Sequence, residues 1–426
     1  MDHSDTGTVT SNDASPAALT PEPSKVAIIR NSEQGWQLTR NDQPYTIRGA
    51  GGFEHLAQLR AHGGNTIRTW GAEQLEVKVE GETLLDKAAR LGLTAMVGIW
   101  LEHSRRGVSY GDQEFLTAQR NRVRETVRYY RDHPALLIWG LGNEVEEEGN
   151  DPRVWQELEH LAQIVKAEDP DHPVCTVIAG TSGNKVANMM EHYSSLDLLG
   201  VNIYNGAKTV EQELAQQGWE KPYLLTEFGP VGHWETDATK WGAPLEPSSV
   251  EKADTYAASH KIQFLREHSD CLGSFCFMWG QKQETTATWF GMFLPTGEKT
   301  PAVDAMSRIW TGKEPENRAP LLYKLHSELK ETEAAPGTRW KVTADALDPD
   351  GDRIEYEWQV VEETSDRRSW GDFELTPPEV AGCIEENHGR EAVITVPHRA
   401  GAYRVFLFVR DGRGGGAAGN FPFLVK

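Results

Sequence analysis

Ile138-Trp-Gly-Leu-Gly-Asn-Glu144 is an apolar run that ends in a glutamate, and Leu224-Leu-Thr-Glu-Phe-Gly229 repeats the device. A continuous apolar run suits a strand covered on both faces. An acidic end puts a carboxylate where such a strand meets solvent. Outward from these two, similar runs fall at 45–49, 66–70, 94–101, 135–141, 174–178, 196–203, 223–226 and 273–279. Helical patterns alternate with them at 53–62, 82–91, 115–132, 153–167, 184–192, 210–217, 250–268 and 302–310. Gly63 and Gly92 punctuate the first two helices, and Pro134 and Pro170 follow the next two. Eight strand–helix units in about 270 residues predict a (β/α)₈ barrel. The alternative, an open doubly wound sheet, is disfavoured by the count. Gly49-Ala-Gly-Gly52 after the first strand also lacks the phosphate-loop pattern. The long connections, 102–114, 230–249 and 281–301, all follow strands, where a barrel builds its working face.

The flanks read differently. Residues 1–24 are polar and rich in Ser, Thr, Asp and Pro, and are expected to be a disordered leader. A hairpin is expected over 35–49, turning at Asn41-Asp42. With it the barrel domain takes 25–315. After a linker at 311–320, runs at 340–344, 354–361, 391–396 and 403–409 alternate apolar and polar residues between Asp/Gly/Pro turns. That pattern predicts a small β-sandwich over 316–426. Asp348-Pro-Asp-Gly-Asp352 is acid-dense, but its order does not match the helix-loop-helix calcium loop, and a plain turn is the expectation.

Composition narrows the partners. Over 426 residues the net charge is −21, which argues against nucleic acid and anionic membrane surfaces. No run of apolar residues is long enough to span a bilayer, and the leader lacks a signal peptide's apolar core. The chain is therefore expected to be secreted or periplasmic with its export signal removed, or else cytoplasmic. Cys175, Cys271, Cys276 and Cys383 show no metal-ligand spacing, so free thiols are the expectation, and the chemistry of two strand-end carboxylates is expected to need no metal and no organic cofactor. Fourteen Trp is a high count, and indole faces suit the apolar faces of pyranose rings. Oligomeric state is left open.

In a closed ring of eight, the fourth and seventh strands bring Glu144 and Glu227 together across the mouth. Two carboxylates so placed are what glycosidic bond cleavage needs, one protonated and one charged. Trp70, Trp100, Trp234, Trp241 and Trp289 lie at or after strand ends as candidate sugar platforms. Glu102, His103 and His233 lie on the same rim.

Together with Tyr45-Thr-Ile-Arg-Gly49, Gly64-Asn-Thr-Ile-Arg-Thr-Trp70, Asn202-Ile-Tyr204 and Phe277-Met-Trp279, these segments resemble glycoside hydrolase clan A. The nearest match is the barrel domain of family two. The resemblance implies Glu144 as acid/base, Asn143 as holder of the sugar 2-hydroxyl and Glu227 as nucleophile. It also implies Arg68 and Tyr204 as partners that keep Glu227 ionised, and Trp279 as the floor of the sugar subsite. Family-two relatives usually carry sandwich domains ahead of the barrel, whereas here a leader and a hairpin precede it and one sandwich follows. That tail resembles the immunoglobulin-like or polycystic-kidney-disease-type modules of bacterial polysaccharide enzymes. The expectation is a retaining β-glycoside hydrolase acting on a β-linked oligo- or polysaccharide, with a β-glucan foremost. A transglycosylase on the same scaffold and a non-catalytic glycan-binding barrel are the alternatives.

Overall fold

A computed structural model describes residues 19–20, 22–31, 35–79, 81–264, 270–365, 367 and 371–426. Eight parallel strands close into a barrel: β1 Ile47–Gly51, β2 Thr66–Arg68, β3 Thr94–Ile99, β4 Leu136–Asn143, β5 Val174–Ala179, β6 Leu198–Asn202, β7 Tyr223–Phe228 and β8 Cys271–Cys276. β8 pairs with β1 from Gly273↔Ile47 to Cys276↔Ala50, which closes the ring. Helices α1 Leu56–Ala61, α2 Leu84–Arg90, α3 Gln113–Tyr130, α4 Pro152–Glu168, α5 Lys185–His192, α6 Val210–Gln216, α7 Ser249–Phe264 and α8 Pro301–Thr311 surround it. Local chemistry starts the two longest cleanly. The Asp112 carboxylate accepts from the backbone N–H groups of Glu114 and Phe115 ahead of α3. Asp151 does the same for Arg153, with Pro152 opening α4.

The barrel interior is filled by Ile47, Met96, Ile138, Cys175, Val177, Leu198, Leu224 and Phe275. Val26 and Leu38 join that cluster from the hairpin, so the hairpin plugs the end of the barrel where the strands begin. Its bonds say the same: Val26 N–H donates to Asp171 O at 2.8 Å and the Arg40 guanidinium to Pro134 O at 2.9 Å, both in segments that enter strands. The hairpin turns at Asn41 and Asp42, both left-handed, as expected, and gains a strand, Val26–Asn31, that the sequence pattern did not announce. Residues 1–18 and 21 of the expected leader lie outside the described residues. Leu19 N–H donates to Ala89 O at 2.9 Å, and the buried Ser24 hydroxyl donates to Leu136 O at 2.9 Å, so the approach to the hairpin is tied to the barrel. The expected end of the seventh helix, 265–268, also lies outside the described residues.

Two four-stranded sheets follow. One runs β9 Leu321–His326, β11 Arg339–Leu347, β14 Glu391–Thr395, β13 Ile384–Asn387. The other runs β10 Glu333–Ala334, β16 Gly416–Val425, β15 Gly401–Arg410, β12 Glu355–Glu362. Val342, Ala344, Ile394, Val405, Leu407 and Phe421 pack between them. At 348–352 Asp348 Oδ1 accepts the N–H groups of Asp350 and Asp352, a side-chain-closed turn.

The sandwich docks on the loops that follow β7 and β8. Ser249 Oγ donates to Ala418 O at 2.9 Å and accepts from Ala418 N–H at 2.8 Å. Leu294 packs on Phe406, Phe408 and Ala418. A buried polar seam runs alongside. The Glu246 carboxylate accepts from Lys252, from the Thr286 hydroxyl at 2.5 Å, from the Thr288 hydroxyl at 2.7 Å and from the Asn420 amide at 2.6 Å. Arg404, 1% exposed, pairs with Glu363 at 2.9 Å and donates to Pro244 O at 2.9 Å.

Candidate active site

β2, Thr66-Ile67-Arg68, is buried throughout, and its place next to β1 and β3 sends the Arg68 guanidinium into the barrel at the strand C-termini. Arg68 is 1% exposed. Its Nη1 donates to Glu227 Oε1 at 2.8 Å and to Thr226 O at 2.8 Å; its Nη2 donates to Asn143 Oδ1 at 2.6 Å. One side chain from β2 thus touches groups on β4 and β7.

Glu227 lies near the end of β7 and is 6% exposed. Besides Arg68, the Trp70 indole N–H donates to its Oε1 at 2.8 Å, and the Tyr204 hydroxyl donates to its Oε2 at 2.9 Å. Three donors aimed at two oxygens suit a carboxylate. Burial first, then the negative charges of Glu227 and Glu284, push the Tyr204 phenol well above its ordinary range, so it stays a donor.

Glu144 follows β4 with φ 53°, a left-handed conformation rare for a side-chain-bearing residue. Its N–H donates to Val177 O at 2.9 Å, and Gly142 ahead of it has φ 76°. The Asn202 amide donates to Glu144 Oε1 at 2.7 Å and to Asn143 Oδ1 at 3.1 Å. Burial, and next the charge of Glu227, push the Glu144 carboxyl up to about 7. The two glutamates are therefore neighbours with opposite environments. One has an arginine and two neutral donors; the other has one amide and a nearby anion. Such divergence is the mark of an acid paired with a base or nucleophile.

The other expected site residues divide. Trp70 is at the centre, with Arg68 stacked over its ring at 5.2 Å. Trp234 is 58% exposed, its ring edge-on to Tyr204 at 5.5 Å, which leaves an indole face free at the mouth. Trp100 stands on the rim, 5.6 Å under the Arg106 guanidinium and 5.2 Å from the His103 ring. His103 is 1% exposed, contacts Arg105 through Nδ1, and has no partner at Nε2 among the described residues. Burial first, then Arg105 and Arg106, push it down to about 4, so it is neutral at physiological pH. His233 packs edge-on to Trp234 and lies 3.6 Å from Glu284. Trp289 is fully buried and donates to Val231 O at 3.0 Å, a loop anchor.

Trp279 requires a correction. It is 1% exposed, its indole N–H donates to His55 O, and its ring packs on Phe293 and Trp310 beneath the rim. β8 ends at Cys276, and the chain turns at once, so the side chain that meets Tyr204 and Trp70 is that of Phe277, at 5.8 and 6.0 Å. Asn202, which bonds Asn143 and Glu144, is the other position at the mouth to which sequence reasoning gives no role. Its signal was available: a polar side chain, 4% exposed, closing an apolar strand.

No group of three or more His, Cys, Asp or Glu among the described residues is arranged to hold a metal ion. No helix among them is long and apolar enough to cross a membrane.

Residues 83–238 match the family model for glycosyl hydrolases family 2, TIM barrel domain, so the resemblance to clan A stands. Among solved structures, a Bacteroides uniformis β-glucuronidase is similar at 15% identity and TM-score 0.51 over 94% of this chain and 48% of its own. A β-D-glucuronidase of Dictyoglomus thermophilum is similar at 16% identity and TM-score 0.51 over 68% of this chain and 54% of its own. A family 2 β-galacturonidase of Eisenbergiella tayi is similar at 15% identity and TM-score 0.50, with the same coverage. At such identities the likeness is one of fold. The chain spans about half the length of the solved structures it matches.

Proposed function

We propose that the chain is a retaining β-glycoside hydrolase in which Glu227 is the nucleophile and Glu144 the acid/base. The observation that carries this reading is the asymmetry of the two carboxyls: three donors on Glu227, and on Glu144 a proton held by burial and by its neighbour's charge. Glu227 attacks the anomeric carbon while Glu144 protonates the leaving oxygen. The bond from carbon to the leaving group breaks as the bond to Glu227 Oε forms. Neutralising Glu227 in the covalent intermediate removes the charge that raised Glu144. Glu144 then becomes the anion that takes a proton from water for the second displacement. Asn143, held by Arg68 and Asn202, faces the sugar 2-hydroxyl. Phe277 and Trp234 offer apolar faces to the ring.

The substrate is a β-linked oligo- or polysaccharide. A β-glucan remains the polymer to try first, and the uronidase-like solved structures make β-uronides the second class to test. No cofactor enters the mechanism. Glu227→Ala should lose turnover by about 10⁴-fold or more. Azide should restore part of it, releasing a glycosyl azide of inverted configuration. Loss without rescue, or an azide of retained configuration, overturns the nucleophile assignment.

A further inference from the structure

The sandwich sends one segment back over the barrel mouth. The connection from β12 to β13 leaves the sheet and meets three of the loops that follow barrel strands. Arg367 Nη1 donates to Gly242 O, after β7, at 2.7 Å. Glu374, 1% exposed, accepts from Thr285 N–H, after β8, at 2.6 Å. Asp372 Oδ1 pairs with Arg106 Nη2, after β3, at 2.6 Å. Between these ties, a Cβ placed on Gly371 would lie 2.9 Å from Lys282 Nζ, and that ammonium sits 5.3 Å over the Phe277 ring. On the opposite side, Arg105 lies within reach of the charges of both Asp372 and Glu144. Residues 371–374 therefore join the lip beside Glu227 to the lip beside Glu144.

The ring order gives this tie a direction. The acid leaves β4 and the nucleophile β7, and the two flank the anomeric carbon from opposite sides. A glycan must then run across the line between them, from the sector of β5 and β6 to the sector of β1 and β2. β3 and β8 border that second sector, and theirs are the loops that residues 371–374 join. Resting on the glycosidase reading, we infer that residues 371–374 of the sandwich wall off one end of the sugar groove, so that cleavage starts from chain ends. The appended domain is thus a specificity-determining part of the site rather than a spacer. Asp372 and Glu374 are positioning residues, acting through Arg106 and the β8 loop.

The test uses the full chain, the p-nitrophenyl β-glycoside it cleaves best, and a hexasaccharide of the same sugar tagged at its reducing end. Wild type should release products from one terminus only at early times. D372A/E374A removes the two side-chain ties made from residues 371–374 and leaves that of Arg367. It should add internal cuts while kcat/KM on the p-nitrophenyl glycoside stays within about threefold. Internal cutting by wild type, or a variant active on the aryl glycoside that still cuts only at the end, overturns the wall. Should D372A/E374A not fold, the surface change R106A decides by the same product pattern. A wild type that cleaves no glycoside at all overturns the glycosidase reading, and the wall with it. The first two outcomes leave that reading intact.

Discussion

Glu144 at the barrel mouth and Glu246 in the seam between barrel and sandwich are both carboxyls in largely dry surroundings, and the protein treats them oppositely. Burial pushes Glu246 up, but Lys252 and the surrounding hydroxyls outweigh it and hold the group below the usual carboxylate range. Burial pushes Glu144 up too, and there the nearby anion adds to the effect, with only the Asn202 amide and the more distant Arg68 opposing. The seam answers its buried charge with a lysine and three neutral donors. The mouth places an anion beside an acid and leaves the acid under-supplied. A saturated buried carboxylate holds structure; an unsaturated one is poised to exchange a proton.

The largest effect that tests this contrast is expected from Arg68→Met, since Arg68 is the cation that lets the mouth hold Glu227. Turnover should fall by about 10²–10³-fold. Stability should fall by about 3–5 kcal/mol, because the partner carboxylate stays buried without its cation. Full activity in a folded variant would remove Arg68 from the mechanism. Next comes Glu246→Ala, which strands the buried Lys252 ammonium. A stability loss of about 3–5 kcal/mol in chemical denaturation is expected, with kcat on an aryl glycoside unchanged in the folded fraction. A fall in kcat matching that of the Arg68 variant would erase the distinction between seam and mouth.

Sharper, though smaller, is a comparison of pH slopes. The folded-state pKa of Glu144 is raised, so its stabilising contribution is fully present below the ordinary carboxylate value and is lost as pH rises through about 7. Glu144→Gln should therefore gain on wild type in melting temperature above neutrality. The folded-state pKa of Glu246 is lowered, so its contribution is present above the ordinary value and is lost in acid. The deficit of Glu246→Gln should shrink as pH falls. Parallel slopes for the two variants would refute the opposition. In kinetics, wild type should show an alkaline limb near pH 7, and Glu144→Gln should lose it while keeping the first step on an activated dinitrophenyl glycoside. The smallest change should come from Trp279→Phe, which trims the packing beneath the rim. About 1–3 kcal/mol of stability should go, with KM unmoved. A large rise in KM would return Trp279 to the sugar subsite.

Much of this was legible in the sequence, for a physical reason. Strands buried on both faces are mostly apolar, so the long ones such as β3, β4 and β7 advertised themselves, and Asn143, Glu144 and Glu227 stood out as the polar ends of such runs. Arg68 and Tyr204 came through the resemblance and were found bonded to Glu227. What failed was direction after a strand ends. The run 273–279 reads as unbroken, but the extended chain stops at Cys276, and two residues of turn exchange Trp279 for Phe277 at the mouth. In the sandwich, β16 went unseen because Gly416-Ala-Ala-Gly-Asn-Phe-Pro-Phe offers neither alternation nor branched side chains, although ten of its residues pair with β15. The reach of Asp372 to Arg106 is a contact across 266 positions, and nothing local announces it.

Arg68 has one more implication, for how this protein can change over time. Because a single guanidinium joins β2 to the ends of β4 and β7, drift at that position would, under the proposed mechanism, spoil the fold and the chemistry in one step, and the two could not be traded against each other. Innovation is therefore channelled outward, into the segments that lie around the mouth, and a laboratory library aimed at new substrates should be confined to them.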